Sequence, residues 1–416
     1  MVQLSDNPFG SSGPRLEDAV AAIAARLTAV QGVDTVAVGR ADGRVLARDL
    51  IATLELPPFT NSAVDGYAVR GQDVPADTAR SFAVEGRLQA GARTAGPVAP
   101  GAAIRVFTGA PMPEGADTVF MQEDVTLDEG GRAVLPPGLK RGANVRVRGE
   151  DIALGRVILP ANRWLRPQDV ALAAAMGLTE IQVRRRVRVA VFSNGDELVE
   201  PGTPRGELQL FDSNRFMLLA MLRRAGCDVS DLGIRRDDRE HIAQILDDAA
   251  GTHDLIVSSG GVSTGDSDYV KQAVESIGTL VFWRIAIKPG RPVAMGMIGA
   301  TPFIGLPGNP VASFVTFARL ARPAVLALAG VEWTPPLTVP VRAGFSYRKK
   351  TGRREYVRAH LRRAADGSLE AIKFPREGAG LLSSLVDTDG LVEIQDDVTR
   401  VEPGQIVDFL PYASLL

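Results

Sequence analysis

Residues 255–269 read LIVSSGGVSTGDSDY, and this stretch predicts the fold at the centre of the chain. The apolar run at its start predicts a buried strand, the serines and glycines predict a tight turn, and helical spacing begins at Tyr269. Such a turn leaves backbone N–H groups free to bind a phosphate or another anion. Asp266 and Asp268 would repel that anion unless a cation such as Mg²⁺ lay between them. The alternative is a plain turn in which an Asp caps the helix.

On both sides of that stretch the chain keeps the same order of strand, loop and helix. Residues 187–193 (VRVAVFS) predict a buried strand, and residues 212–226 predict a helix that Asp212 or Ser213 caps. Apolar strands that alternate with helices are typical of a doubly wound parallel sheet, whose ligands bind at the carboxyl ends of the strands. Further helices are predicted at residues 15–27, 166–176 and 310–329.

The pattern changes outside this α/β region. Short β-like runs such as RSFAVEGRL at residues 80–88 predict an all-β insertion between two parts of a mixed N-terminal domain. After Glu332 the chain returns to short strands, which predict a small barrel or sandwich. The predicted class is therefore multidomain α/β plus β, with four domains: residues 1–57 and 149–184, N-terminal mixed α/β; 58–148, inserted all-β; 185–332, doubly wound parallel α/β; 333–416, C-terminal β-barrel.

The composition limits the classes of function. The 416 residues carry a formal net charge of −2, which gives no electrostatic reason to expect nucleic acid or an anionic membrane as a partner. Cys227 is the single cysteine, so we expect no internal disulfide, a buried thiol and a reducing cytoplasm. The three histidines lack metal-ligand spacing, and we expect neither a signal peptide nor a membrane span.

Charged and glycine-rich loops follow the predicted strands of the α/β domain. Glu197 and Asp237 follow the first two strands. A later, cationic loop holds Arg284, Lys288 and Arg291, and the GLPGNP loop after it opens a helix with free N–H donors. One sheet edge would thus hold acids for a cation, amides for a phosphate and bases for an anion. Taken singly, each feature is equally consistent with ordinary surface or capping chemistry.

The β insertion supplies a second group of polar side chains. Asp65 lies in residues 57–70 (PPFTNSAVDGYAVR), and Thr108 precedes a Gly-Ala-Pro turn. Asp151 lies in residues 149–155 (GEDIALG). The alternative is that these side chains only stabilise turns, which Asp, Asn and Gly commonly do.

The sequence does not predict a covalent nucleophile. Ser258 and Ser259 have no histidine near them in sequence, and Cys227 lacks a plausible base. The chemistry would therefore depend on positioning, a metal ion and the stabilisation of anions.

Six motifs follow one another along the chain: PPFTNSAVDGYAVR, FTGAPMP, SNGDELVEPG, SSGGVSTGDSDYV, IAIKPGRPVAMG and GLPGNPVASFVTF. In order and approximate spacing they resemble the molybdopterin molybdenumtransferase family, which includes the E domain of gephyrin. The resemblance implies insertion of molybdate into adenylylated molybdopterin with Mg²⁺, which yields molybdenum cofactor and AMP. It also implies a homodimer whose active site combines insertion loops of one subunit with the α/β edge of the other, and a transient contact with the adenylyltransferase.

The resemblance, together with the local chemistry of the loops, gives three groups of candidate site residues. The catalytic group is Asp65, Thr108, Asp151, Glu197, Lys288 and Arg291. The group that binds the molybdopterin substrate is Ser259, Gly260, Gly261, Ser263, Gly265, Pro307 and Pro310. The candidate ligands of Mg²⁺ are Asp237, Asp266 and Asp268. Molybdate is a dianion, so Lys288 with either Arg291 or Arg284 would hold it.

The chain departs from the family pattern at three positions. The family often has lysine where Arg284 and Arg291 stand, and a guanidinium holds an oxyanion in a different geometry from an ammonium. The family's GR-E-[FY]-xR pattern survives at residues 354–358, but a later Gly-Ser pair is Gly378 and Ala379 here. A hydroxyl donor on the pterin side is therefore expected to be missing.

Two other functions fit parts of the sequence. A molybdopterin adenylyltransferase would use the same α/β domain, although relatives of that kind resemble this domain alone and lack the β insertion and the barrel. A non-catalytic molybdopterin-binding scaffold is the other alternative, because gephyrin has a clustering role. Against it stands the group of acids that includes Asp65, Asp237 and Asp268, since clustered like charges destabilise a protein unless a ligand offsets them.

Overall fold

The computed structural model describes residues 13–93, 96–262 and 269–415. The chain divides into two compact units. The core unit takes the described residues up to 47, residues 162–167 and those from 180 onward. The insert unit takes residues 48–161 and 168–179.

A six-stranded sheet lies at the centre of the core unit. In spatial order its strands are Asp228–Arg235, Arg188–Asn194, Leu255–Ser259, Thr301–Leu306, Pro292–Ile298 and Thr279–Arg284. The first four strands run parallel to one another. The strand at residues 255–259 therefore has a partner on each side, and all of its residues are buried, which explains its uninterrupted apolar pattern.

One edge of this sheet differs from the parallel arrangement predicted from the sequence. Pro292–Ile298 runs antiparallel to both Thr301–Leu306 and Thr279–Arg284. Only Gly299 and Ala300 connect the first two of these strands, and a two-residue connection can form a hairpin but not a crossover. Gly299 has a φ of +58°, the left-handed conformation that glycine adopts without strain.

Helices cover both faces of the central sheet, as the sequence predicts. Alternate residues of Arg188–Asn194 belong to different buried clusters: Val189 and Val191 to one, Ala190 and Phe192 to the other. Each cluster continues into helices on its own face. The α-helices of the core unit are Leu16–Ala24, Asn214–Arg224, Arg239–Ala250, Tyr269–Ile277, Pro310–Thr316, Arg322–Leu328, Ser383–Val386 and Tyr412–Leu415.

A π-helical segment interrupts the long apolar helix predicted at residues 310–329. The helix runs as Pro310–Thr316, then the π-helical Phe317–Ala321, then Arg322–Leu328. Pro323 accounts for the interruption, because proline lacks the N–H that an α-helix needs and clashes with the carbonyl one turn earlier. By length and composition this helix could cross a membrane, but 89% of its apolar window is buried in the core unit. Packing therefore accounts for its apolar residues.

Cys227 is buried, as predicted, with 6% of its surface exposed. Burial raises the pKa of its thiol to about 12. The thiol is therefore protonated at neutral pH, which makes it a poor nucleophile.

The barrel predicted near the C-terminus is closed and has five strands. In order around the barrel they are Arg354–Arg363, Leu369–Lys373, Val339–Ala343, Ile406–Pro411 and Gly390–Ile394, and the last pairs with the first. Buried side chains such as Val392 and Phe409 fill it. The short strand Ile287–Lys288 pairs in parallel with Arg354 and Glu355 and so joins the loop that carries Lys288 to the barrel.

Three short strand pairs complete the core unit: Val33–Ala37 with Glu180–Arg184, Leu198–Val199 with Leu210–Phe211, and Tyr347–Arg348 with Arg400–Val401. A single 3₁₀ turn, Val38–Arg40, follows the first of these strands.

The insert unit contains the all-β sheet that the sequence predicts. In spatial order its strands are Thr118–Met121, Gly66–Val69, Ala102–Val106, Arg80–Leu88, Ala133–Leu135 and Thr126–Leu127. The unit also contains the pairs Leu50–Ile51 with Val157–Leu159 and Asn61–Ser62 with Val145–Arg146, and the 3₁₀ turns Gly71–Asp73 and Gln122–Asp124. The helix Pro167–Ala175 belongs to it from residue 168 onward. Only glycine fits at position 66, since a Cβ there would lie 1.8 Å from the carbonyl oxygen of Phe120.

We predict that Leu222→Ala lowers the free energy of unfolding by about 2–5 kcal/mol, because the side chain is fully buried and its truncation leaves a cavity. Leu208→Ala is the matched control: this leucine is 89% exposed, and its loss should change stability by about 0.5 kcal/mol or less. Urea unfolding followed by circular dichroism measures both. Equal shifts for the two variants would contradict the placement of the helix Asn214–Arg224 in the core.

Candidate functional site

Loops at the carboxyl edge of the central sheet surround one cavity of about 590 Å³, which we call the rim cavity. The predicted site residues that line it are Glu197, Asp237, Ser259, Gly260, Gly261, Pro307 and Pro310. Because the strands are parallel here, loops far apart in sequence end at the same edge. The structure therefore brings together residues that the sequence connects only through the repeated order of strand, loop and helix.

Three asparagines that the sequence analysis did not select also line the rim cavity: Asn194, Asn214 and Asn309. Asn214 donates from Nδ2 to Ser259 Oγ at 2.9 Å and to the carbonyl oxygen of Gly308 at 2.8 Å, which joins the start of its helix to two of the loops. Asn194 donates to the carbonyl oxygens of Arg235 and Arg236, both at 3.2 Å. The sequence predicts a helix cap at Asp212 or Ser213. A capping pattern gives no signal for the contacts that the next residue, Asn214, makes with two distant loops.

The two central glycines of the rim cavity are required by packing. Gly260 and Gly261 have φ values of +89° and +67°. A Cβ on Gly260 would lie 2.3 Å from the carbonyl oxygen of Asn194, and one on Gly261 would lie 2.3 Å from Val270 Cγ2. The turn is thus strained for any other residue, so a structural need for glycine exists here beside any role in binding.

Asp237 lies in an acidic environment. Burial raises the pKa of its carboxyl group, and the nearby carboxylates of Asp196 and Glu197 raise it further. Its backbone N–H donates to Asp196 Oδ1 at 3.3 Å. A hard cation would relieve this repulsion, and carboxylate oxygens are the ligands that Mg²⁺ prefers.

The remaining predicted metal ligands cannot be placed. Four predicted site residues lie outside the part of the chain that the structure describes: Ser263, Gly265, Asp266 and Asp268. Within the described residues no group of three or more His, Cys, Asp or Glu side chains is arranged to hold a metal ion. Asp237 is therefore a single candidate ligand whose surroundings favour a cation.

A second cavity, of about 340 Å³, lies between the loop of residues 287–292 and the barrel, and we call it the cationic cavity. Its basic lining residues are Lys288, Arg291, Arg353, Arg358, Lys373 and Arg376, and Glu377 is the acid among the described residues that line it. Of the two arginines considered as partners of Lys288, Arg291 belongs to this lining and Arg284 does not. The barrel residues were missed because their spacing shows only strands, although the density of basic residues in RKKTGRREYVR was a signal.

A buried carboxylate organises one wall of the cationic cavity. The side chain of Glu355 is 1% exposed and accepts hydrogen bonds from Tyr347 Oη at 2.6 Å and from Arg353 Nε at 2.7 Å. Lys288 Nζ lies 3.3 Å from both Glu355 Oε2 and Tyr347 Oη. Burial by itself would raise the pKa of Glu355, but these hydrogen bonds and the charge of Lys288 hold it below its ordinary value. Glu355 is therefore ionised at neutral pH and holds Lys288 in position.

Ala379 lies beside the start of the helix Pro310–Thr316. Its carbonyl oxygen accepts the Val311 N–H at 3.0 Å, and Arg358 Nη1 donates to the carbonyl oxygen of Gly378 at 2.8 Å. Ala379 lines the cationic cavity and is not among the residues that line the rim cavity. This position therefore contributes to the cationic cavity, and the expected loss of a hydroxyl donor on the pterin side stays a prediction.

The two cavities adjoin within the core unit. Pro292, Pro307 and Asn309 line both of them. A ligand in the rim cavity would thus lie next to an anion in the cationic cavity.

The insert unit brings two predicted residues into direct contact. Asp65 Oδ1 accepts hydrogen bonds from the backbone N–H of Thr108 at 2.7 Å and from Thr108 Oγ1 at 2.8 Å. These two bonds lower the pKa of Asp65 below its ordinary value. Asp151 lies in the same unit with its side chain exposed, and its N–H donates to the carbonyl oxygen of Leu56 at 3.0 Å.

We predict that Thr108→Val raises the pKa of Asp65 toward its ordinary value, because valine keeps the N–H donor and removes Oγ1. Carboxyl ¹³C NMR titration measures the change. Since the folded-state pKa of Asp65 is lowered, its charge stabilises the fold above the ordinary carboxyl pKa, and this contribution is lost as the pH falls through the lowered value.

Ser81→Ala is the control for that titration. Ser81 Oγ donates to Asp128 Oδ2 at 3.1 Å, and the pKa of Asp128 is also lowered, first by the backbone N–H of Arg132 and then by this bond among others. The control should raise the pKa of Asp128 and leave Asp65 unchanged. An unchanged Asp65 in Thr108→Val would show that the hydroxyl does not act on the carboxylate.

Three protein-family models match successive parts of the chain. They are the MoeA N-terminal region (domain I and II) at residues 15–177, the probable molybdopterin binding domain at residues 190–327, and the MoeA C-terminal region (domain IV) at residues 340–412.

Similar proteins carry one name. The molybdopterin molybdenumtransferase of Haemophilus influenzae is 36% identical over 377 residues, which cover 90% of this chain and 93% of the relative. That of Nostoc sp. is 36% identical over 392 residues, which cover 92% and 89%. Molybdopterin molybdenumtransferase 2 of Mycobacterium tuberculosis is 35% identical over 383 residues, which cover 89% and 93%.

A solved structure shares the fold. The molybdopterin biosynthesis moeA protein from Pyrococcus horikoshii OT3 superposes with a TM-score of 0.80 at 28% identity, over 96% of this chain and 100% of that one. The resemblance read from six motifs is thereby confirmed over almost the whole length. On this evidence the chain belongs to the molybdopterin molybdenumtransferase family, whose members are transferases of molybdenum cofactor biosynthesis.

Proposed function

We propose that this protein inserts molybdate into adenylylated molybdopterin, with release of AMP and formation of molybdenum cofactor. The observation that carries the proposal is the contact of the two cavities at Pro292, Pro307 and Asn309. Insertion needs an oxyanion beside a large, phosphate-bearing substrate. A cationic cavity that adjoins a glycine-rich one supplies both binding places.

The cationic cavity suits molybdate because of its charge. Six basic side chains and one acid line it. Lys373 pairs with that acid, Glu377, and Lys288 and Arg353 share the single buried carboxylate of Glu355. A compact dianion would offset the remaining positive charge, and guanidinium groups bind tetrahedral oxyanions through paired N–H donors. We assign Lys288 and Arg291 the role of holding molybdate, with Glu355 fixing the position of Lys288.

The rim cavity suits the molybdopterin substrate. Backbone N–H groups at the turn of Ser259, Gly260 and Gly261 would receive a phosphate, as turns between a strand and a helix do. Pro307 and Pro310 shape the adjoining loop. Glu197 lies at the acidic side of the cavity, where it would orient the end of the substrate that bears the adenylate.

Mg²⁺ is the expected metal, and Asp237 is its candidate ligand among the described residues, with Asp266 and Asp268 as further candidates from the sequence. The raised pKa of Asp237 supports this assignment, because neighbouring carboxylates favour a cation at that place. When bound, the ion would neutralise charge on the phosphoanhydride.

We further propose a homodimer in which the insert unit of one subunit supplies Asp65, Thr108 and Asp151 to the core unit of the other, and a transient contact with the adenylyltransferase that supplies the substrate. The fourfold domain division and a cytoplasmic location belong to the same proposal. The separate buried clusters of the barrel and of the insert support that division.

The proposal is tested by AMP release from adenylylated molybdopterin with Mg²⁺, in the presence and absence of molybdate. We expect molybdate-dependent release. Lys288→Ala should lower kcat/KM for molybdate by about tenfold to a hundredfold, since it removes one charge-assisted contact of about 1.5–3 kcal/mol.

Lys350→Ala is the control for that variant, because Lys350 is exposed and does not line the cavity. Tight substrate binding without AMP release would favour the scaffold. Formation of adenylylated molybdopterin from molybdopterin and ATP would favour the adenylyltransferase.

The homodimer is tested by mixing two impaired variants, Asp65→Ala and Lys288→Ala, at a molybdate concentration at which each alone has little activity. If each active site combines residues of two subunits, one kind of site in a mixed dimer carries both substitutions and the other kind carries neither. Mixed dimers should therefore regain about half of the activity of a normal dimer. No recovery in mixed dimers, verified by differential tags, would exclude a shared site.

A further inference from the structure

A β-bulge in the insert sheet brings two arginines side by side. The register of Arg80–Leu88 against Ala102–Val106 shifts by one residue between Val84 and Arg87. Two residues of the first strand therefore face one residue of the second, which is the definition of a bulge. Side chains alternate between the faces of a strand, so the extra residue moves Arg87 onto the face of Arg105, its partner in the register.

Both guanidinium groups lie against one aromatic ring. Arg87 Cζ lies 4.5 Å from the centroid of the Phe107 ring, and Arg105 Cζ lies 5.5 Å from it. Each contact is favourable alone. The two strands are parallel, and two like charges held side by side against one ring nevertheless repel each other. A bulge that creates such a pair therefore carries a cost that an anion would offset.

The N–H groups of this pair remain available to a ligand. Arg105 donates to Gln122 Oε1 at 3.0 Å, which is a neutral acceptor. Within the described part of the chain, no carboxylate forms an ion pair with Arg87, which is exposed. A guanidinium has five N–H donors, so most of those on the two side chains lack an acceptor among the residues that the structure describes.

The pair lies beside residues already assigned to the proposed site. Thr108 directly follows Phe107 in the chain. Tyr67, which lies two positions after Asp65, is the strand partner of Arg105. The hydrogen bonds of Thr108 and, to a smaller extent, the charge of Arg105 lower the pKa of Asp65. Arg87 and Arg105 thus form a cationic extension of the Asp65–Thr108 pair on the same unit.

We propose that Arg87 and Arg105 form a binding site for a phosphate-type oxyanion on the insert unit. The forked geometry of two guanidinium groups suits the oxygens of a phosphate or diphosphate. Its contribution to turnover, as a contact to the phosphate groups of the substrate, rests on the proposed function. Binding of the anion itself does not.

The first experiment uses the wild-type full chain and inorganic pyrophosphate. Phenylglyoxal modifies accessible arginine side chains, and mass spectrometry reads each position separately. We expect pyrophosphate to slow the modification of Arg87 and Arg105, with sodium chloride at equal ionic strength as the salt control. Arg80 is the internal control, because it lies on the same strand with its Cζ 5.5 Å from the ring of Phe82. Equal protection of Arg80 and Arg87, or protection of neither, would overturn the proposal.

The second experiment measures affinity. In a Lys288→Ala background, which weakens the cationic cavity, Arg87→Gln should weaken pyrophosphate binding about tenfold, as expected for one charge-assisted hydrogen bond. Arg80→Gln in the same background should leave the affinity unchanged. Identical affinities for the two variants would contradict the site.

AMP release then separates this inference from the proposed function. If the wild type releases AMP and Arg87→Gln raises KM for adenylylated molybdopterin, both stand. If the wild type releases no AMP but pyrophosphate still protects Arg87, the function fails and the anion site stands. An unchanged KM in Arg87→Gln would remove the pair from substrate binding.

Discussion

The buried carboxylate of Glu355 is the interaction on which the candidate site depends most. It accepts hydrogen bonds from Tyr347 and Arg353, lies 3.3 Å from Lys288 Nζ, and belongs to the backbone pairing between Ile287–Lys288 and the barrel. A buried charge is tolerated only when its partners satisfy it. The barrel is therefore tied to the loop that carries Lys288, and the cationic cavity exists because the two parts meet there.

Charge is sorted between the adjoining cavities of the core unit. The carboxylates of Asp196, Glu197 and Asp237 gather where parallel strands of the central sheet end. The basic residues gather where the loop of residues 287–292 meets the barrel. The acidic side of the rim cavity repels anions, and the cationic cavity repels cations. A cation and an anion can thus bind close to each other, each in its own cavity. This sorting is the physical basis for assigning metal and oxyanion to different walls of one site.

In the insert unit, a small irregularity of the sheet determines which face of the strand carries Arg87. Without the extra residue in Arg80–Leu88, the side chain of Arg87 would lie on the other face of its strand. With it, two guanidinium groups share the ring of Phe107 beside Asp65 and Thr108. The sequence VEGR carries a glycine that is typical of such a bulge, but the glycine alone does not say which side chain is turned.

By itself, the sequence determined the elements whose signals are local. The strand at residues 255–259, the glycine turn after it, the helices on both faces and the order of the six motifs all follow from periodicity and residue type over short windows. The candidate residues of the rim cavity were found in this way, because a strand end followed by glycine and acids is a local pattern. The tertiary structure decided which distant segments meet. No local period of apolar residues encodes the register and pairing of strands that are remote in the chain. On these depend the antiparallel edge, the partners of Glu355, the barrel residues of the cationic cavity, and the face of the sheet on which Arg87 lies.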